Sequence, residues 1–279
     1  MTPEAPPAQD TRDARARYTI FAVLWVTVLA TLLWRPATTL APSPPTRSLY
    51  DAIEAIPREK LVIISASWDV GTRGENGPQT AAIIEHLFRT GHKFAIFGWV
   101  APPGPLLVEM IARDLARKYH KRYGVDWVNW GFKTGTDAMI MGLAKNIPAI
   151  IRQDMHGTPI TKLPAMKGVK DHRDVGMVIE ITGSGTLLSW IQFWQGVYGT
   201  NIGYCPTGVM VPDAFPFLDA KQIRGLLKGL AGAAEYENLL RTHGDASVRM
   251  TAQSASHLVI ILLIILGNIA FFRRGKRQA

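Results

Sequence analysis

Residues 61–100 read LVIISASWDVGTRGENGPQTAAIIEHLFRTGHKFAIFGWV, and this stretch decides the fold. Residues 61–66 are apolar almost without a break and rich in β-branched side chains, the pattern of a strand buried on both faces. Residues 80–89 then place Ala81, Ile84, Leu87 and Phe88 on one helical face, with Gly91 positioned to stop the helix. Residues 94–100 are a second buried strand. Strand, helix and strand in this order form a crossover unit, the building block of a parallel sheet.

The alternation continues downstream. Residues 106–123 form an amphipathic helix opened by Pro103 and Pro105 and closed by Gly124. Strands follow at 126–132, 175–181 and 201–205, with helices at 137–146, 186–198 and 220–240. Residues 154–174, which hold His156 and His172, read as a surface excursion with no metal spacing. The expected fold is α/β: a doubly wound, mostly parallel five-stranded sheet in a flavodoxin- or Rossmann-like three-layer sandwich, carried between two transmembrane helices. One sequence leaves the strand order open.

Two apolar runs bracket this domain. Residues 18–34 contain no ionisable group other than Tyr18, and residues 250–272 contain only His257. About 20 apolar residues cross a hydrocarbon core of ~30 Å, so both runs read as spans. Arg17 and Arg35 are placed to snorkel, and Tyr18, Trp25 and Trp34 to anchor the shorter run. The competing reading of the first run is a cleaved signal peptide. Its length and Pro42, directly after Thr39-Leu40-Ala41, favour an uncleaved anchor. The division is a tail at 1–17, a span at 18–34, a stiff Pro-rich linker at 35–57, a domain at 58–245, a span at 250–272 and a basic tail at 273–279.

Flanking charge gives an orientation. Arg12, Arg15, Arg17, Arg273, Arg274, Lys276 and Arg277 stand on the terminal side, against Arg35, Arg47, Arg241 and Arg249 on the domain side. Seven against four expects both termini in the cytoplasm and the domain outside, with the chain in a cell inner (plasma) membrane. The C-terminal tail supplies +4 of the formal +9 charge, so the basicity points to anionic lipid headgroups rather than to nucleic acid. One cysteine, Cys205, excludes an internal disulfide.

In open α/β sheets ligands bind beyond the carboxyl ends of the strands. There this chain carries Asp69, Gly71 and Arg73; then Lys133, Thr134, Gly135, Thr136 and Asp137; then Thr182, Gly183, Ser184, Gly185 and Thr186; and last Thr207. Glycine lets backbone approach a ligand, and a helix N-terminus presents free N–H groups to an anion. Residues 182–186 are therefore the first candidate for holding a small anionic ligand. Tight turns and N-caps demand the same residue types, so each loop alone also reads as ordinary connection. No phosphate-loop, dinucleotide or nucleophile-elbow motif is met, and no cofactor is implied. Asp69, Glu75 and Asp137 are candidates to approach one another as paired carboxylates.

Two surfaces read as interaction faces. Arg113, Arg117, Lys118, His120, Lys121 and Arg122 load one helix end with positive charge, which also suits the helix dipole. In the last helix Gly225, Gly229 and Gly232 make a smooth stripe, for packing on the sheet or on a partner helix.

Residues 123–133 (YGVDWVNWGFK), 156–159 (HGTP), 163–168 (LPAMKG) and 229–237 (GLAGAAEYE) resemble a family of prokaryotic membrane proteins with one α/β domain between hydrophobic segments. The likeness covers roughly residues 50–240. The family's Gly-Gly-Glu after the third strand is replaced by Gly135-Thr136-Asp137. The resemblance implies the architecture and assigns no activity. The leading expectation is an extracytoplasmic binding or scaffolding subunit with protein partners in a membrane complex. The alternatives are a membrane-bound hydrolase or transferase acting on an anionic substrate and, with inverted topology, a cytoplasmic nucleotide-responsive domain.

Overall fold

The computed structural model describes residues 8–36, 39–135 and 137–278. The chain divides into two compact units: Thr39–Ser247, and the two flanking segments. In the flanks, helix α1 (Ala8–Trp34) contains an apolar stretch over Ala14–Trp34, and helix α11 (Asp245–Gln278) contains one over Asp245–Phe271. Both are long and apolar enough to cross a membrane, and neither is buried by the rest of the chain. The expected cytoplasmic tail at 1–17 lies partly outside the described residues.

The domain is built on six parallel strands: β1 (Leu61–Ser67), β2 (Phe94–Gly98), β3 (Trp127–Phe132), β4 (Val175–Thr182), β5 (Asn201–Pro206) and β6 (Gly225–Leu226). Their order is β3-β2-β1-β4-β5-β6, the doubly wound order of the Rossmann type rather than of flavodoxin. The expected strand count was five. The sixth strand is two residues long, and Gly225 and Leu226 pair with Gly203 and Tyr204. So short a pairing leaves no periodicity to read.

Alternating strand residues feed two cores, one on each side of the sheet. Leu61, Ile63, Val178, Phe97 and Trp130 pack with Ile140, Leu143, Trp190 and Trp194. Val62, Ile64, Met177, Ile179 and Ile96 pack with Ile83, Ile84, Leu87, Val108 and Tyr236. The first side is covered by α5 (Asp137–Lys145), α6 (Ile147–Ile150) and the segment from α7 (Leu187–Trp190) through a π turn at Ile191–Gln195 to α8 (Gly196–Tyr198). The second is covered by α2 (Pro44–Glu54), α3 (Arg73–Thr90), α4 (Gly104–Lys118) and α10 (Gly229–Leu239). A short α9 (Phe215–Asp219) precedes β6.

Three expectations need correction. The Pro-rich spacer is not extended over residues 44–48: prolines open α2, whose Leu49 and Ile53 are fully buried, so the domain begins near Thr39. Pro at the first helical positions costs no hydrogen bond, which is how a Pro-rich stretch starts a helix. Residues 154–174 are not a loose excursion, because Ile160, Leu163, Ala165, Met166 and Val169 enter the first core. Residues 220–240 are not one helix, because β6 interrupts them and α10 begins only at Gly229.

Candidate functional site

The strand order reverses between β1 and β4, so the loops after these two strands flank the place where doubly wound sheets leave a crevice. A crevice of about 230 Å³ lies there, lined by Ser67, Trp68, Asp69 and Thr72 from the first loop, Val100–Pro103 from the loop after β2, and Gly183 and Ser184 from the loop after β4. α4 closes tightly behind it: a Cβ on Gly104 would overlap the Ala66 carbonyl oxygen and sit 2.9 Å from that of Trp68. The Trp68 indole N–H is buried without a hydrogen-bond acceptor.

The loops after β1, β4 and β5 do converge. Gly183 N–H donates to the Ser67 carbonyl at 3.4 Å and Thr207 N–H to that of Thr182 at 3.1 Å. A Cβ on Gly183 would lie 2.6 Å from the Thr72 methyl, so only glycine lets these two loops meet. The loop after β3 stands apart. Its Lys133 N–H donates to the Gly98 carbonyl at 2.9 Å, Thr134 and Gly135 are exposed, and Thr136 lies outside the described residues. Burial holds the Lys133 ammonium below its usual pKa.

Three N–H groups of the expected anion cradle make bonds within the protein. In residues 182–186, Gly183 N–H goes to Ser67, Ser184 N–H to the Thr182 hydroxyl at 2.8 Å and Thr186 N–H to the Ser184 carbonyl at 2.9 Å. In the first loop the Asp69 carboxylate takes the Gly71 N–H at 2.8 Å. Arg73 is exposed and does not line the crevice. The lining thus carries one carboxylate and no Lys or Arg, which suits a hydroxylated or cationic group better than the anion expected. The three carboxylates do separate jobs: Asp69 caps its own turn, Glu75 accepts from Gly208 N–H at 2.8 Å, and Asp137 accepts from the Ser189 hydroxyl at 2.7 Å. Among the described residues no group of three or more His, Cys, Asp or Glu side chains could hold a metal ion.

The most unusual side chain at this edge was not expected. Glu180 lies in the middle of β4, fully buried, on the sheet face beneath α7. The Thr186 hydroxyl donates to its Oε1 at 2.5 Å and the Trp190 indole N–H to its Oε2 at 2.6 Å, while the Ser65 and Ser67 hydroxyls stand beside it. Burial pushes its pKa up to about 7, and these four groups hold it from rising further. A signal existed in the sequence: Ser65, Ser67, Glu180 and Thr182 are polar positions two apart in strands that are otherwise apolar, and so share a face.

Asn76 and Gln79, also unforeseen, tie the strand ends from the first turns of α3. Asn76 Nδ2 donates to Gln79 Oε1 at 2.8 Å and to the Thr182 carbonyl at 3.2 Å; Gln79 Nε2 donates to the carbonyls of Pro206 at 2.9 Å and of Leu227 and Gly229 at 3.2 Å.

The two interaction faces change character. Gly225, Gly229 and Gly232 share no helix face: Gly225 sits in β6 against the Leu49 backbone, Gly229 has φ 54° beside Glu75, and Gly232 packs on Leu227. Each is spent on packing inside the domain. The basic patch borders a groove of about 500 Å³ lined by Arg113, Arg117, Lys121, Arg122, Tyr123 and Trp127 among others. Glu109 pairs with Arg113, Asp114 with Arg117, Glu85 with Lys118 and Asp126 with Lys121, so most of its charge is answered locally. Cys205 is fully buried and its thiol pKa is pushed far up by burial, which removes it as a nucleophile.

Fold and site together define a parallel, doubly wound α/β domain with a polar crevice at its switch point, flanked by two apolar helices. The chain matches no protein-family model, no curated protein and no solved structure.

Proposed function

We propose that this chain is a membrane-anchored binding domain, a recognition or scaffolding subunit of a membrane complex, with both termini cytoplasmic and the domain outside. The observation that carries the reading is one compact α/β unit preceded and followed in the chain by apolar helices that the protein itself leaves unburied. The switch-point crevice supplies the binding element. Its hydroxyls and its single carboxylate suit a small neutral or cationic polar molecule.

The test is native mass spectrometry of the full chain released from a mild detergent, beside an Ala101→Trp variant that fills the crevice. A small-molecule adduct on the wild-type chain that the variant lacks supports the reading. An adduct equally present on both, or none on either, overturns the binding element. A second reading, an acid–base enzyme at the same edge, is favoured by Glu180, the buried carboxyl beside the crevice. Under it Glu180→Gln abolishes a turnover that the adduct undergoes on the wild-type chain.

A further inference from the structure

Two hydroxyl routes lead from Glu180 to the crevice wall. On the first, Glu180 Oε1 is 2.5 Å from Thr186 Oγ1, which is 3.0 Å from Thr182 Oγ1, which is 3.1 Å from Ser184 Oγ. On the second, the Ser65 hydroxyl stands beside Glu180 and lies 3.3 Å from that of Ser67. Ser184 and Ser67 both line the crevice, and Ser184 is half-exposed. The Thr186 hydrogen has two acceptors within reach, the carboxylate and the Thr182 hydroxyl. Turning from one to the other is the motion that passing a proton along this chain requires.

We propose that Glu180 is an acid–base group serving the crevice, exchanging a proton with a bound weak base such as an amine through Thr186, Thr182 and Ser184. The step balances. Outward, Glu180 gives its proton to Thr186 Oγ1 as the Thr186, Thr182 and Ser184 hydroxyls each pass their own hydrogen on, and the ligand's lone pair receives the last. The carboxyl becomes a carboxylate, the ligand gains one positive charge, and every hydroxyl ends intact. The surroundings suit this exchange. Facing Glu180 are Ser65 and Ser67 from β1, Tyr204 from β5, and Thr186 and Trp190 at α7; Cys205 and, through Tyr204, Asp213 are the remaining titratable neighbours. Burial raises the pKa of Tyr204 and Cys205, so both stay neutral near pH 7. None of these groups is a cation, so the proton is the only positive charge on hand to neutralise Glu180. A neutral-range pKa of about 7 is what a group that both gives and takes a proton needs.

The inference rests on the crevice as the binding element, but its test needs no ligand, so the two fail separately. The full chain in detergent at about pH 6, below the Glu180 pKa, is mixed rapidly into deuterated buffer. Infrared spectroscopy then follows the carboxylic-acid carbonyl band that Glu180→Gln removes. The expected results are fast exchange in the wild type, exchange slowed by about tenfold or more in Ser67→Ala/Ser184→Ala, and recovery in Ser67→Ala/Ser184→Thr, which restores one hydroxyl. If the double variant does not fold, Ser184→Ala alone carries the test, with a slowing of about threefold. Unchanged exchange in these variants, or no carboxylic-acid band lost in Glu180→Gln, overturns the proposal.

Discussion

Glu180 buries a carboxyl in the middle of the sheet, and stability must report it. Its pKa is raised from the ordinary glutamate value of 4.5 to about 7 on folding, so the folded state holds the proton more tightly than the unfolded one. The contribution is full below the unfolded pKa and is lost as pH rises through about 7, on the order of 3 kcal/mol for a fully buried group. Thermal unfolding of the full chain should show that loss between about pH 4.5 and 7, and Glu180→Gln should flatten it. Glu180→Leu, which strands the Thr186 and Trp190 donors, should cost about 2–4 kcal/mol more than Glu180→Gln at neutral pH.

His86 pulls the other way. Burial lowers its pKa, against the raising effect of Glu54 at 2.9 Å, while its Nδ1 lies 2.6 Å from the Tyr236 hydroxyl. Because the folded pKa lies below the unfolded one, its contribution is full above about 6.5 and is lost as pH falls. Unfolding temperatures measured below about pH 6 should therefore fall less steeply in His86→Gln than in the wild type. These roles were hidden in the sequence, since Glu180 and His86 take their chemistry from partners 6 to 150 residues away.

Among the elements, α10 ties both ends of the domain. Glu235 Oε2 accepts from Ser43 N–H at 3.0 Å, Ser43 Oγ at 2.5 Å and Thr46 Oγ1 at 2.6 Å, at the start of α2. Two residues on, Glu237 accepts from the N–H groups of Ala246 and Ser247 at 2.9 Å and the Ser247 hydroxyl at 2.6 Å, at the start of α11. A carboxylate at a helix N-terminus answers donors the helix cannot satisfy itself. Glu237→Ala should cost about 1–3 kcal/mol in urea unfolding of the full chain, and Glu237→Gln less. Packing gives a companion prediction: Gly104→Ala, which drives a Cβ into the Ala66 carbonyl, should cost about 1–3 kcal/mol in the same assay and close the crevice.

At this scale the legible part of the sequence was periodicity. Five strands and most helices follow from β-branched apolar runs and one-sided helical faces. α3 starts seven residues earlier than its apolar face indicates, at Arg73 rather than residue 80, because Gly74, Gly77 and Pro78 weaken local helix preference while the bonds of Asn76 and Gln79 hold the turns from outside. Of the four loops expected at one edge, those after β1, β4 and β5 meet and the one after β3 stands apart. Their internal hydrogen bonds depend on tertiary approach, which the Gly and Thr pattern does not carry.

For the whole molecule, the account makes one claim above the others: an α/β domain held outside the cytoplasm by two spans. Cys205 is fully buried, so new cysteines at exposed Lys145 in the domain and at Ala279 can be labelled without removing it. The decisive measurement is labelling of Lys145→Cys and Ala279→Cys in cells whose inner membrane is intact, using a membrane-impermeant maleimide. The account predicts modification of the domain cysteine at once and of the terminal cysteine only after lysis. The reverse pattern would contradict the proposed sidedness, and equal labelling of both before lysis would contradict the two-span topology.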